Sequence, residues 1–195
     1  MTFGSRQKGA VAENEVAKLF EAWWRKLEPE CVFKRTPLSG GWSSPVAREH
    51  FKTSGDLVTS AVRCPFTVEV KRREGWDLER LLDAHHPQQS KVWGWWLQAQ
   101  AQGKEQGAEP LLLLRKSREP WRLMMRASYA RDALPNLMDA VEWDRWPRSR
   151  GHRPVFFHDA GFLFDLSPLT FALPEAVTSV RRRHVHEGRE PRAPR

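Results

Sequence analysis

Three residues carry types and spacing that suit hydrolytic chemistry. Asp56 follows Gly55, and after twelve further residues come Glu69 and Lys71, separated by one residue. Phe66, Val68 and Val70 alternate with Thr67, Glu69 and Lys71, so a strand of period two places Glu69 and Lys71 on one face, about 6.6 Å apart. Two carboxylates can hold Mg²⁺, a hard cation that prefers oxygen ligands. A metal so held polarises a phosphodiester and activates water, and a neighbouring lysine orients that water and offsets developing charge. The same residues also fit a plain alternative, a solvated strand face with an ion pair.

The elements that must position these residues are readable in outline. Gly55–Ser60 and Phe66–Lys71 are two runs of β-type residues around a compact break, which predicts a hairpin or a tight strand–turn–strand. Gly55 allows the backbone to turn freely before Asp56. Upstream, a helix is predicted over 9–27, ending before Pro29, with Ala12, Val16, Leu19, Phe20, Trp23 and Leu27 as its apolar stripe. Glu13 lies at the edge of that stripe and is either a half-exposed surface carboxylate or a third carboxylate for the metal. Cys31–Arg35 predicts a strand, and the Gly/Ser/Pro-rich stretch to Thr53 a long loop suited to phosphate contact or to simple connection.

Downstream, Arg72 and Arg73 leave the active strand. A short helix over 77–84, a solvated turn at His85 and His86, and a second long helix over 88–102 follow. Gln88 and Lys91 lie one turn apart at the start of that helix. Residues 103–110 read as a polar turn. Leu111–Leu114 reads as a buried central strand and Trp121–Met125 as another. A helical pattern runs from Ala127 to Trp146, broken at Pro135. Val155–Phe157, Phe162–Phe164 and Phe171 form an apolar cluster that must pack on the core or on a dimer partner.

Taken together, Lys8-Gly9-x-x-x-Glu13, Arg35-x-Pro37-x-Ser39-Gly40, Gly55-Asp56, Glu69-x-Lys71 and Gln88-x-x-Lys91-Val92 resemble, in order, the archaeal-type Holliday junction resolvase family (Hjc), a branch of the PD-(D/E)XK nuclease superfamily. Gly55 stands where that superfamily usually has Pro. The resemblance covers roughly residues 6–126, and the loop at 40–54 and the segment after Tyr129 depart from it. It implies an α/β fold, a mixed central sheet flanked by helices with a restriction-endonuclease-like core. It places metal binding on Asp56, Glu69 and Glu13, the water-orienting lysine on Lys71, and a scissile-strand contact on Ser39. It implies Mg²⁺, with Mn²⁺ able to substitute, no small-molecule cofactor, a homodimer that makes paired nicks, and a four-way DNA junction as substrate. Arg6, Lys8, Arg35, Arg72, Arg73 and Lys91 are the expected DNA contacts.

Composition agrees with a polyanionic partner. The chain has 195 residues and a net charge of +8, with an isoelectric point near 10.0, which favours nucleic acid over a membrane surface. No apolar run approaches the roughly 20 residues of a membrane span, and the N-terminus lacks a signal-peptide core. Two cysteines, Cys31 and Cys64, fit a reducing cytoplasm and no disulfide framework. Scarce Asn with abundant Arg and Pro fits either a thermophilic source or GC-rich coding. The expected organisation is one nuclease domain over 1–180, with its core at about 6–126 and an extension over 127–180. A disordered basic tail over 181–195 carries six Arg against two Glu. A PD-(D/E)XK enzyme acting as a nickase, on flaps or mismatches, or as a restriction-like enzyme, and a basic DNA-binding protein without catalysis, are the competing readings.

Overall fold

The computed structural model describes residues 5–36, 55–76, 90–134, 143–145 and 154–172, of which 5, 6 and 143–145 are described by their backbone alone. Ser39, the loop at 40–54, the segment 77–89 with Gln88, and the basic tail lie outside these residues. Helix α1 (Ser5–Trp24) buries Ala12, Val16, Phe20, Trp23 and Trp24, while Leu19 is exposed. The stripe therefore continues through Trp24 and not through Leu19, a correction to the sequence reading that follows from 3.6 residues per turn. After Trp24 the chain tightens, with the Leu27 N–H on the Trp24 carbonyl at 2.9 Å. A three-residue spacing of this kind ends a helix.

Strand β1 (Phe33–Arg35) pairs antiparallel with β2 (Leu57–Thr59). Strand β3 (Phe66–Arg72) pairs parallel with β4 (Glu109–Arg115) along its whole length. Of the two expectations for 55–71, a hairpin or a strand–turn–strand, the hairpin is thus corrected: β2 takes β1 as its ladder partner, and just before β2 the Asp56 N–H donates to the Val68 carbonyl of β3 at 2.8 Å. The reason is burial. β3 is covered on both faces, which suits its parallel pairing with β4 although it stands at the end of the sheet.

Helix α2 (Lys91–Gln106) makes the crossover between β3 and β4. It starts at Ser90, whose hydroxyl accepts from the Val92 N–H, and ends at Gly107 in the left-handed conformation. The polar turn expected over 103–110 is therefore only Gly107 and Ala108, because the helix runs on to Gln106. Strands β5 (Arg122–Arg126), β6 (Trp143–Arg145) and β7 (Pro154–Phe157) complete a sheet in the order β3-β4-β5-β7-β6, antiparallel after β4. Residues 143–145 are thus strand and not the end of a helix, since β7 offers them a pairing edge. The helical pattern after β5 yields only α3 (Ala127–Ala133) among the described residues.

The result is a mixed sheet flanked by helices. On one face α1, joined by the short helix α4 (Gly161–Asp165), packs on Phe66, Val68, Val70, Leu111, Leu113, Leu123 and Phe157. Phe20, Trp23, Phe164 and Phe171 lie here in edge-to-face contacts, so the late apolar cluster packs on the core. On the other face α2 brings Val92 and Trp96 to Leu112, Leu114, Met124 and Phe156. Among the described residues, no helix is long and apolar enough to cross a membrane.

Candidate active site

The site forms where β3 passes the start of β2. Thr36, just past β1, fixes that start: its N–H donates to the Asp56 carbonyl at 2.8 Å and its hydroxyl to the Gly55 carbonyl at 2.9 Å. Asp56 Oδ2 in turn accepts from the Val70 N–H at 2.8 Å. Main chain and side chain of Asp56 are therefore both tied to β3, and its carboxylate is held between Glu69 and Lys71 along the strand.

Glu69 is fully buried. Its Oε1 accepts from Lys71 Nζ and from Gln98 Nε2 of α2, the latter at 2.8 Å. Its Oε2 is buried and has no hydrogen-bond partner among the described residues. A solvated strand face is thereby excluded. Asp56 has its carboxyl pushed up to about 7, first by burial and then by the charge of Glu69; the Val70 N–H and Lys71 work against this, and Glu13 adds to it. Two carboxylates in repulsion, one with an unsatisfied buried oxygen, are what a cation would relieve.

That donor set fits a divalent metal on oxygen ligands. Asp56 and Glu69 are the residues that would hold it, with Glu69 Oε2 as the free donor. Among the described residues, no cluster of three or more metal-binding side chains occurs. Glu13 is close enough for its charge to act on Asp56, but its Oε2 is engaged by Arg35 Nε at 2.6 Å.

The other expected residues fall into two groups. Arg72 and the exposed Arg73 lie at the exit of β3. Lys8 is exposed on α1, near enough that its charge, with that of Arg72, adds to the hydrogen bonds from Ser117 that hold Glu74 below the usual carboxylate range. Lys91 is exposed, with Nζ at 3.3 Å from the Gly75 carbonyl. It sits beside the strand exit and not on Glu69. The side chain of Arg6 and all of Ser39 lie outside the described residues.

The residue that sequence reading missed is Gln98. It belongs to a run in which positions 98, 100 and 102 are all Gln, and no motif marks one of them. The available signal is helical: Trp96 and Ala99 face the sheet, so position 98 sits on the flank from which a long amide can reach β3.

Asp56 gives the protein a pH-dependent stability. Its folded-state affinity for a proton exceeds the unfolded one, so the contribution is complete below about pH 4 and is lost as pH rises through about 7. In EDTA the Asp56→Asn variant should therefore melt a few degrees above the wild type at pH 8. Near pH 4 the two should melt together. The amide oxygen still accepts from Val70, so the lost repulsion dominates. Scanning calorimetry at both pH values checks this, and an Asn variant less stable at pH 8 would refute it.

A mixed sheet with helices on both faces, and an Asp…Glu-x-Lys set at the junction of two strands, defines the PD-(D/E)XK class of nuclease. A family model described as "Phage putative PDDEXK endonuclease" matches residues 4–148. The chain belongs to that family, and the match lies with it and not with the archaeal resolvases. No curated protein and no solved structure matches the chain. Nucleases of this superfamily generally use divalent metals.

Proposed function

We propose that the protein is a Mg²⁺-dependent endonuclease selective for branched DNA, a resolvase that makes paired nicks in four-way junctions as a homodimer. The observation that carries the catalytic part of this reading is buried Glu69, with one oxygen held by Lys71 and Gln98 and the other free, beside Asp56. When bound, the metal supplies Lewis-acid polarisation of the phosphodiester and a more acidic water. Asp56 and Glu69 would hold it, and Glu13, whose Oε2 is engaged by Arg35, would help directly or through water. Lys71 donates to Glu69 and to the attacking water, which it orients toward the phosphorus. Lys8, Arg35, Arg72, Arg73 and Lys91 contact backbone phosphates, which fixes register without reading sequence. Ser39 and Arg6 are assigned by resemblance alone, to the scissile strand and the flanking backbone. Cleavage leaves a 5′-phosphate and a 3′-hydroxyl.

The junction preference rests on the ordered motifs shared with the archaeal-type resolvases. A second reading is favoured by the family match itself, which is to phage endonucleases: the same chemistry on another DNA substrate, such as a nickase or a flap, mismatch or restriction-like enzyme.

One assay separates them. An end-labelled four-way junction and a linear duplex of the same arm sequence are incubated with Mg²⁺ or with EDTA. The resolvase reading expects symmetric nicks in the junction alone, lost in EDTA. Equal cutting of both substrates would remove the junction preference and leave the nuclease. No cutting of either would remove the catalytic reading.

A further inference from the structure

One row of side chains runs from the site across the sheet. In the register of β3, β4 and β5, Lys71 lies opposite Leu114, and Leu114 opposite Arg122. All three are on the face covered by α2, where Leu114 is core. Two strand spacings put the Arg122 backbone about 10 Å from that of Lys71. Lys116, just past the end of β4 at Arg115, also reaches this face, where Trp76 lies.

Both cations rest on one ring. Lys116 Nζ is 5.2 Å and Arg122 Cζ is 5.4 Å from the centre of Trp76. Trp76 is itself 4% exposed and packs with the α2 cluster, so the ring is a fixed post. An aromatic ring positions a cation without neutralising it. Lys116 has no carboxylate partner among the described residues. Arg122 meets Glu119 at 3.1 Å within the same turn, with both side chains partly exposed. The bridging Glu119 oxygen and Arg122 Nε are buried, so Glu119 is the competitor that a phosphate must displace from Arg122. Lys116 is available to a polyanion directly, and Arg122 once Glu119 gives way. Arg72 and Arg73 at the neighbouring end of β3 extend the positive field toward the cleavage site.

We propose that Lys116 and Arg122, held on Trp76, form a second phosphate-contact point that grips the substrate DNA backbone beside the cleavage site. The proposal rests on the nuclease reading and adds a surface that the motifs do not reach. Duplex DNA carries one charge per about 1.7 Å of axis, so the roughly 10 Å from Lys71 spans several phosphates. The ordinary alternative is that the two cations only cap Trp76.

The test is equilibrium binding in EDTA, by fluorescence anisotropy of labelled junction and duplex, between about 50 and about 200 mM salt. The variant is Lys116→Ala with Arg122→Ala. The control is Lys18→Ala with Lys104→Ala, which removes the same charge from exposed positions on α1 and α2. The slope of log affinity against log salt should fall in magnitude by about 2 in the first and by clearly less in the control. Lys116→Arg with Arg122→Lys should keep the wild-type slope, and Glu119→Gln should tighten binding. Coinciding slopes for the alanine pair and the control overturn the proposal. If the alanine pair fails to fold, the charge-retaining pair and Glu119→Gln decide: loss of the slope in the former, or unchanged binding in the latter, overturns it. Wild-type protein that binds and cuts DNA while the pair matches the control sinks this proposal alone. Wild-type protein that binds no DNA sinks the nuclease reading with it.

Discussion

Glu69→Gln should lower DNA cleavage by at least about a thousandfold while leaving DNA affinity in EDTA within roughly threefold of wild type. The side chain is fully buried, and one of its two oxygens has no partner among the described residues. Burying an ionised carboxylate is costly unless every lone pair is satisfied. Lys71 and Gln98 satisfy Oε1, and Asp56 adds a second negative charge where a stable core would avoid one. Such an arrangement is retained where the unsatisfied oxygen has work to do. Glutamine keeps the volume and one acceptor, but it removes the charge that a divalent cation needs. On the proposed reading DNA is held by Lys and Arg outside the site, so binding should survive. Asp56→Asn should behave alike, and Lys71→Ala should lose about a hundredfold or more, the scale of one lost charge-stabilising group. Single-turnover cleavage with Mg²⁺ and anisotropy without it make the comparison. A Glu69→Gln enzyme that cuts at the wild-type rate would remove the site assignment.

Much of this site is legible along the chain, because alternation is local. Residues 66–71 announce a strand with Glu69 and Lys71 on one side, and the structure has β3 there. What alternation cannot tell is whether the polar side faces water. Thr67 and Glu69 are buried because α2 returns across that face, and Gln98 reaches Glu69 from 29 residues away. The choice of pairing partner is equally non-local. Pro65 and the break before it look like a hairpin turn, yet β1, over twenty residues upstream, takes the β2 ladder. β6 reads as the tail of a helix, and only the free edge of β7 makes it a strand. Glu13 shows the same limit in its chemistry. Its place on the helix is readable, but its engagement by Arg35 depends on how β1 lies against α1.

The second large effect is expected at Gly55, where fold and site meet. Replacement by Ala should destabilise the protein by about 3 kcal/mol or more and lower cleavage by at least tenfold in the fraction that remains folded. Gly55 has φ +90, and a Cβ there would come within 2.6 Å of the Val68 carbonyl oxygen. A positive φ alone costs an L-residue about 1–2 kcal/mol, and the overlap with main chain cannot be relieved by a rotamer change. Relief requires the 55–56 segment to move away from β3. That movement opens the Asp56 N–H to Val68 bond and the Val70 N–H to Asp56 bond together. Asp56 then loses both of the ties that aim its carboxylate at Glu69. A displacement of about 1 Å at a reacting group is enough to cost a large factor in rate. Pro at this position would fail for the same reason: a ring locked near φ −65° cannot adopt the left-handed turn that this close approach demands. Urea denaturation gives the stability change, and single-turnover cleavage at low temperature reads the folded fraction. Gly55→Pro should be at least as damaging as Gly55→Ala. A Gly55→Ala protein with wild-type stability would mean that the approach of Gly55 to Val68 does not hold Asp56 in place.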